Sequence, residues 1–280
     1  MKLLRYGEPG SEKPGLLDSD GMIRDLSGVV SDIGPESLTP ESLDRIRGLD
    51  AKALPVVNGS PRIGPCLVGP GKFLCIGLNY SDHAAEAGLP VPEEPILFMK
   101  ANTAVCGPND GIIIPRNAMK TDWEVELGVV IGTRAQYIAE AGAMAHVAGY
   151  CVVNDVSERD FQANRGGQWV KGKSADSFGP IGPYMVTADE IADPQDLDLW
   201  LEVNGQRMQN GSTRNMIFGV ATLVAYVSQF MTLEPGDLIS TGTPPGVGMG
   251  RKPPLFLKPG DSVRLGIPGL GEQTQAVVAA

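Results

Sequence analysis

Apolar and polar positions alternate most regularly in the run Trp-Glu-Val-Glu-Leu-Gly-Val-Val-Ile-Gly at 123–132. A period of two in a stretch rich in β-formers predicts a strand. One face would carry Val125, Leu127, Val129 and Ile131, and the other Glu124 and Glu126 side by side. Shorter apolar runs predict further strands at 72–77, 96–100, 112–114, 147–154, 197–203, 238–241 and 263–267. Ser19-Asp20-Gly21 and Asn204-Gly205 read as hairpin turns. Thr39-Pro40-Glu41 reads as a helix start, with a capping hydroxyl, a proline in the first turn and an acid near the dipole, and that helix would run to about Gly48. Helices are also predicted over 138–145, from Ser157 and from Met216. The order shows no regular β-α-β alternation, so a β-rich α+β class is predicted and a doubly wound or barrel α/β fold is disfavoured. The texture divides the chain into a small module, residues 1–70, and a larger domain, 71–280.

Residues 215–233 hold no charged side chain, a length that raises the question of a membrane span. Gly219, Thr222, Ser228, Gln229 and Thr232 interrupt the run, so a buried helix under a sheet is the better reading. No apolar core of a signal peptide follows Met1, which predicts a cytoplasmic protein. Hydrophobic residues at 42% and charged residues at 20% suit a soluble chain with a sizeable core. A net charge of −10 argues against a nucleic-acid partner. The 36 glycines and 23 prolines are spread along the chain, consistent with many turns rather than disorder. None of the four cysteines forms a Cys-x-x-Cys pair, and most sit in apolar runs as small buried hydrophobes.

The paired glutamates are the first chemical candidate. Like charges side by side need a cation between them, such as a hard metal ion, unless the face is simply solvated. His83 is followed at i+3 by Glu86, so the two can meet on a short helix. A carboxylate beside imidazole raises its basicity, which suits activation of water, although a surface helix pair has the same spacing. Asp155 ends an apolar strand, where it serves either as a metal ligand or as a helix cap. Arg159 and Gln162 would follow on the continuing helix, with Arg159 able to bind a carboxylate bidentately. Lys173 lies in a predicted loop. The run from Thr241 to Gly250 is no phosphate cradle, since it lacks the Gly-Lys-Ser/Thr ending and two prolines remove donors. A rigid loop offering Thr and backbone N–H groups to a small anion is the alternative.

Gly77-Leu78-Asn79-Tyr80 with His83 and Glu86, Trp123 to Gly128, Asn154-Asp155 with Arg159-Asp160 and Gln162, Gly172-Lys173-Ser174, and Thr241-Gly242-Thr243-Pro244 together resemble the fumarylacetoacetate hydrolase family, in the family's order. The N-terminal module, opening Met-Lys-Leu-Leu-Arg-Tyr-Gly, resembles a bacterial subgroup that includes 2,4-diketo-3-deoxy-rhamnonate and -fuconate hydrolases. The resemblance implies a mixed β-sandwich roll, in a homodimer or dimer of dimers. It implies Mg²⁺ or Mn²⁺ held by Glu124, Glu126 and Asp155, and a small 2-keto acid substrate. The implied reaction is hydrolytic C–C cleavage of a 2,4-diketo acid to pyruvate and a second acid. His83, aided by Glu86, would activate water, with Lys173 as a second cation. Arg159, Gln162 and Thr243 would bind the substrate. Oxaloacetate-type decarboxylation, hydration or isomerisation would use the same site, and a non-catalytic metal-binding scaffold is the alternative of another class. The tail of the substrate would be read by loops such as Gln168-Trp169 and 211–214.

Overall fold

A computed structural model describes residues 1–280, the side chain of Ala87 excepted. The predicted central strand forms as Val125–Ile131, buried along its whole length. Its two faces meet different cores. Val125, Leu127, Val129 and Ile131 join one cluster, and Val130, on the glutamate face, joins the other. The strand pairs antiparallel with Val147–Asn154 on one side and Leu238–Ser240 on the other. It lies inside a nine-stranded sheet. The chain is therefore strand-rich α+β, as its pattern predicted.

A second, five-stranded sheet covers the Val125 face. Leu199, Leu201, Val203, Val263, Leu265 and Ile267 pack from it into the shared core, beside Leu223, Val224 and Val227 of a helix. Residues 1–70 cover part of the opposite face with Leu3, Leu38, Leu43 and Ile46. Lys2–Tyr6 pairs with Met185–Thr187, so the strands of this N-terminal segment continue the large sheet. Its helix spans Pro40–Arg47, with the Thr39 hydroxyl accepting from Ser42 N and Gly48 at the far end. The Asn204-Gly205 turn takes positive φ at both residues, 52° and 77°, the geometry of a tight hairpin.

Three helices differ from the pattern. The run predicted at 138–145 is a 3₁₀ stretch, Glu140–His146, where Gly142 weakens the α alternative. The helix expected from Ser157 starts at Arg159 instead. Ser157 and Glu158 first pair with Asp122 and Thr121, and the Glu158 side chain then caps Asp160 N. The helix expected from Met216 is Val220–Val227. Ile217 and Phe218 give their N–H groups to Asn79, which holds the preceding segment extended. No helix among the described residues is long and apolar enough to cross a membrane.

Candidate active site

At the N-terminal end of the central strand the glutamate face opens into a cavity of about 850 Å³. Pairing places Asn154 opposite Val125, and Asp155 N then bonds to Glu124 O at 2.9 Å. Asp155 is thereby brought beside the glutamate pair. One ligand oxygen from each of Glu124, Glu126 and Asp155 lies within 4.8 Å of the others, and all three residues are buried. A single ion can bridge such a set, and an all-oxygen donor set suits Mg²⁺ or Mn²⁺.

The surrounding charges are unequal. Lys173 Nζ donates to Glu124 Oε2 at 2.6 Å and to Asp155 Oδ2 at 2.7 Å. Arg159 donates to Glu124 Oε1 at 2.7 Å and to Asp122 at 2.9 Å. Lys100, fully buried, holds the other oxygen of Asp155 and also Val156 O. Glu126 pairs with no cation. Its Oε2 accepts from Ser240 Oγ at 2.5 Å and from Gly242 N at 2.9 Å. The two glutamates are accordingly pushed apart. Burial opposes ionisation of Glu124, but Arg159 and Lys173 outweigh it and hold its carboxyl far below the usual range. Burial, followed by the neighbouring charges of Asp155 and Glu124, pushes Glu126 well above it. Lys173 stays an ammonium despite burial because Asp155 and Glu124 face it. The site thus lacks one positive charge beside Glu126, which fits a divalent cation.

His83 and Glu86 lie on the short helix Ser81–Ala87, which Gly88 ends in a left-handed turn. His83 Nδ1 is 3.2 Å from Glu86 Oε2, and both residues line the cavity that contains the acidic cluster. Glu86 also accepts from Gly246 N at 3.1 Å, so the pair is anchored rather than free on the surface. Arg159, Gln162 and Thr243 line the same cavity. Gln162 Oε1 accepts from Arg159, leaving its amide nitrogen for the cavity. The Thr243 hydroxyl donates to Val125 O and accepts from Gln209 Nε2, so it carries no spare donor. Likewise the Gly242 N–H serves Glu126, which removes it as a donor to a small anion.

Lys173 occupies a helical turn, Val170–Lys173, not the predicted loop. Gly172 makes this possible. A Cβ there would lie 2.4 Å from Gln162 N and Glu158 O, so only glycine lets the turn press against the helix Arg159–Ala163.

Three contributors escaped the sequence reading. Asp122 is fully buried and accepts from the Gly248 and Met249 N–H groups as well as Arg159. It continues the Glu124/Glu126 alternation by one step, a signal that was present. Lys100 ends the predicted strand 96–100, and its partner Asp155 is 55 residues away in the sequence. Ser240 gave no local signal.

The family model for the fumarylacetoacetate hydrolase C-terminal domain matches residues 72–278. A Burkholderia multivorans protein named as a hydrolase is 64% identical over 100% of both chains. Among solved structures, fumarylacetoacetate hydrolase from Exiguobacterium antarcticum superposes with TM-score 0.87 at 36% identity, covering 100% of each chain. The 5-carboxymethyl-2-hydroxymuconate delta-isomerase of Mycobacterium smegmatis has TM-score 0.77 at 33% identity, covering 100% of this chain and 99% of that one. Maleylpyruvate hydrolase from Sphingobium sp. SYK-6, solved with manganese(II) and pyruvate, has TM-score 0.83 at 27% identity, again over 100% of each chain. On the family match and the likeness to these relatives, the chain belongs to the fumarylacetoacetate hydrolase family.

Proposed function

We propose that the protein is a divalent-metal-dependent hydrolase that cleaves the C3–C4 bond of a 2,4-diketo acid and releases pyruvate. The observation that carries this reading is one cavity shared by the Glu124, Glu126, Asp155 cluster and the His83–Glu86 pair. The three carboxylates would hold Mg²⁺ or Mn²⁺. When bound, the ion supplies Lewis acidity to the keto-acid end of the substrate and offsets the negative charge that develops there. Manganese and pyruvate in the maleylpyruvate hydrolase structure support this assignment.

Glu86 orients the imidazole through Nδ1 and leaves Nε2 to take a proton from water. The water oxygen bonds to C4. The C3–C4 bond then breaks, with its electron pair passing to C3 as pyruvate enolate, and C4 departs as a carboxylic acid. Protonation of C3 completes pyruvate and returns the proton taken by His83. Lys173, held as an ammonium, adds positive charge beside the enolate. Arg159 sets Glu124 and Gln162, and the Gln162 amide nitrogen is the free donor for the substrate's oxygens.

The isomerase among the similar structures supports a second reading, in which the enolate is reprotonated without bond cleavage. The likeness of the N-terminal module favours a 2,4-diketo-3-deoxy sugar acid among the candidate substrates, and the family likeness favours a homodimer or dimer of dimers. The reaction is tested with acetylpyruvate in an assay coupled to pyruvate reduction. EDTA should abolish pyruvate formation and Mg²⁺ or Mn²⁺ should restore it. Turnover indifferent to chelation removes the metal assignment.

A further inference from the structure

Two cations at the rim of the cavity have no part in the chemistry described above. Arg251 is half-buried and Lys252 exposed, and both line the cavity. The other cations of the lining, Arg159 and Lys173, are committed to carboxylates. Arg251 and Lys252 pair with no carboxylate among the described residues, although the chain carries a net charge of −10. In so acidic a protein, two adjacent unpaired cations facing a cavity create a local positive field.

Their loop is fixed to the acidic cluster. Gly248 N and Met249 N donate to Asp122 at 2.7 and 3.0 Å, and Asp122 also holds Arg159 at 2.9 Å. Leu255 N closes the loop on Gly248 O at 3.0 Å. The rim cations are therefore tied through one buried carboxylate to the residues around Glu124.

Much of the remaining lining is apolar. Phe98 and Trp169 meet edge to face at 5.3 Å, and Ile96, Leu89 and Met249 extend the lining. Trp169 is seated on Gly77, where a Cβ would come within 2.6 Å of its ring. A hydroxylated tail against this wall would lose water without gaining partners, which is costly. A carbon chain would not, and a terminal anion would reach the rim.

We propose that Arg251 and Lys252 form a distal anion subsite that takes the terminal carboxylate of a diketo acid with an apolar or unsaturated tail. The proposal rests on the acidic cluster binding the keto-acid end, and it replaces the hydroxylated sugar-acid tail.

The test compares succinylpyruvate with butyrylpyruvate, which have the same chain length and differ in a terminal carboxylate or methyl. The Mn²⁺-supplemented enzyme should favour succinylpyruvate by about tenfold or more in kcat/KM, a charge-assisted contact discounted for partial exposure. In the double variant Arg251→Ala, Lys252→Ala the ratio should fall below about threefold, with the loss mainly in KM. Calorimetric binding of both compounds to the His83→Ala protein gives a readout separate from turnover. Preferential binding of succinylpyruvate that requires Arg251 and Lys252 supports the subsite even if neither compound is cleaved, and the proposed reaction alone then falls. Equal constants for the two compounds, or a preference that survives the double variant, overturn the subsite. So does a matched diketo acid with a hydroxylated tail outperforming succinylpyruvate.

Discussion

His83 and Glu126 carry the account at the level of single residues. Removing the imidazole takes away the group that accepts the water proton but touches no ligand of the acidic cluster. His83→Ala should therefore lower kcat by about 10²–10⁴ with Mn²⁺ affinity retained. Undiminished turnover would place the base elsewhere. Glu126 depends on Ser240 and Gly242 N to fix its Oε2. Such outer-shell contacts orient a ligand for its metal, so Ser240→Ala should weaken Mn²⁺ binding on the order of 10–100-fold. Titration followed by electron paramagnetic resonance measures this, and an unchanged affinity would show that Ser240 does not orient Glu126 for the metal.

Packing of short elements decides where Lys173 sits. The helices Arg159–Ala163 and Val170–Lys173 touch through Gly172, whose missing Cβ makes room for backbone atoms. Backbone yields less readily than the end of a flexible side chain, so Gly172→Ala should destabilise the fold by roughly 1–3 kcal/mol through overpacking. It should also displace Lys173 from Glu124 and Asp155 and lower turnover. Denaturant titration beside the pyruvate assay checks both, and a variant with normal stability and activity would show that the contact does not position the lysine. At this scale the sequence was readable where the signal is local. The alternation of Glu124 and Glu126, the Thr39-Pro40 cap and the Asn204-Gly205 turn each follow from a few neighbouring residues. It was less readable where a distant partner decides. Asn79 shortens the helix Val220–Val227 by holding residues 217 and 218, and the pairing of Ser157 and Glu158 delays the next helix. Lys100 could not be assigned before the fold placed Asp155 beside it. The Thr243 hydroxyl looked free for substrate until Val125 O and Gln209 were placed around it.

Across the whole molecule, the acidic cluster joins the large sheet to the helices and loops that cover its open end. The central strand supplies Glu126, while Asp155 extends the strand Val147–Asn154 beside it. Metal binding to folded but not unfolded chain must therefore stabilise the fold. At free Mn²⁺ of about 100 times the dissociation constant the gain is about 2.7 kcal/mol. For a chain of this size that amounts to a rise in Tm of several degrees, about 2–4 °C per kcal/mol. Glu126→Gln should lose most of that rise in a thermal melt, and an equal rise in the variant would contradict ligation by this residue.

Attack of water on C4 is the central claim, and oxygen labelling tests it most directly. Acetylpyruvate is cleaved in H₂¹⁸O with Mn²⁺ present, and the acetate is weighed by mass spectrometry. Hydrolytic cleavage predicts one atom of ¹⁸O in the acetate carboxylate, with pyruvate formed in equal amount. Release of carbon dioxide in place of acetate, or acetate without the label, would contradict it.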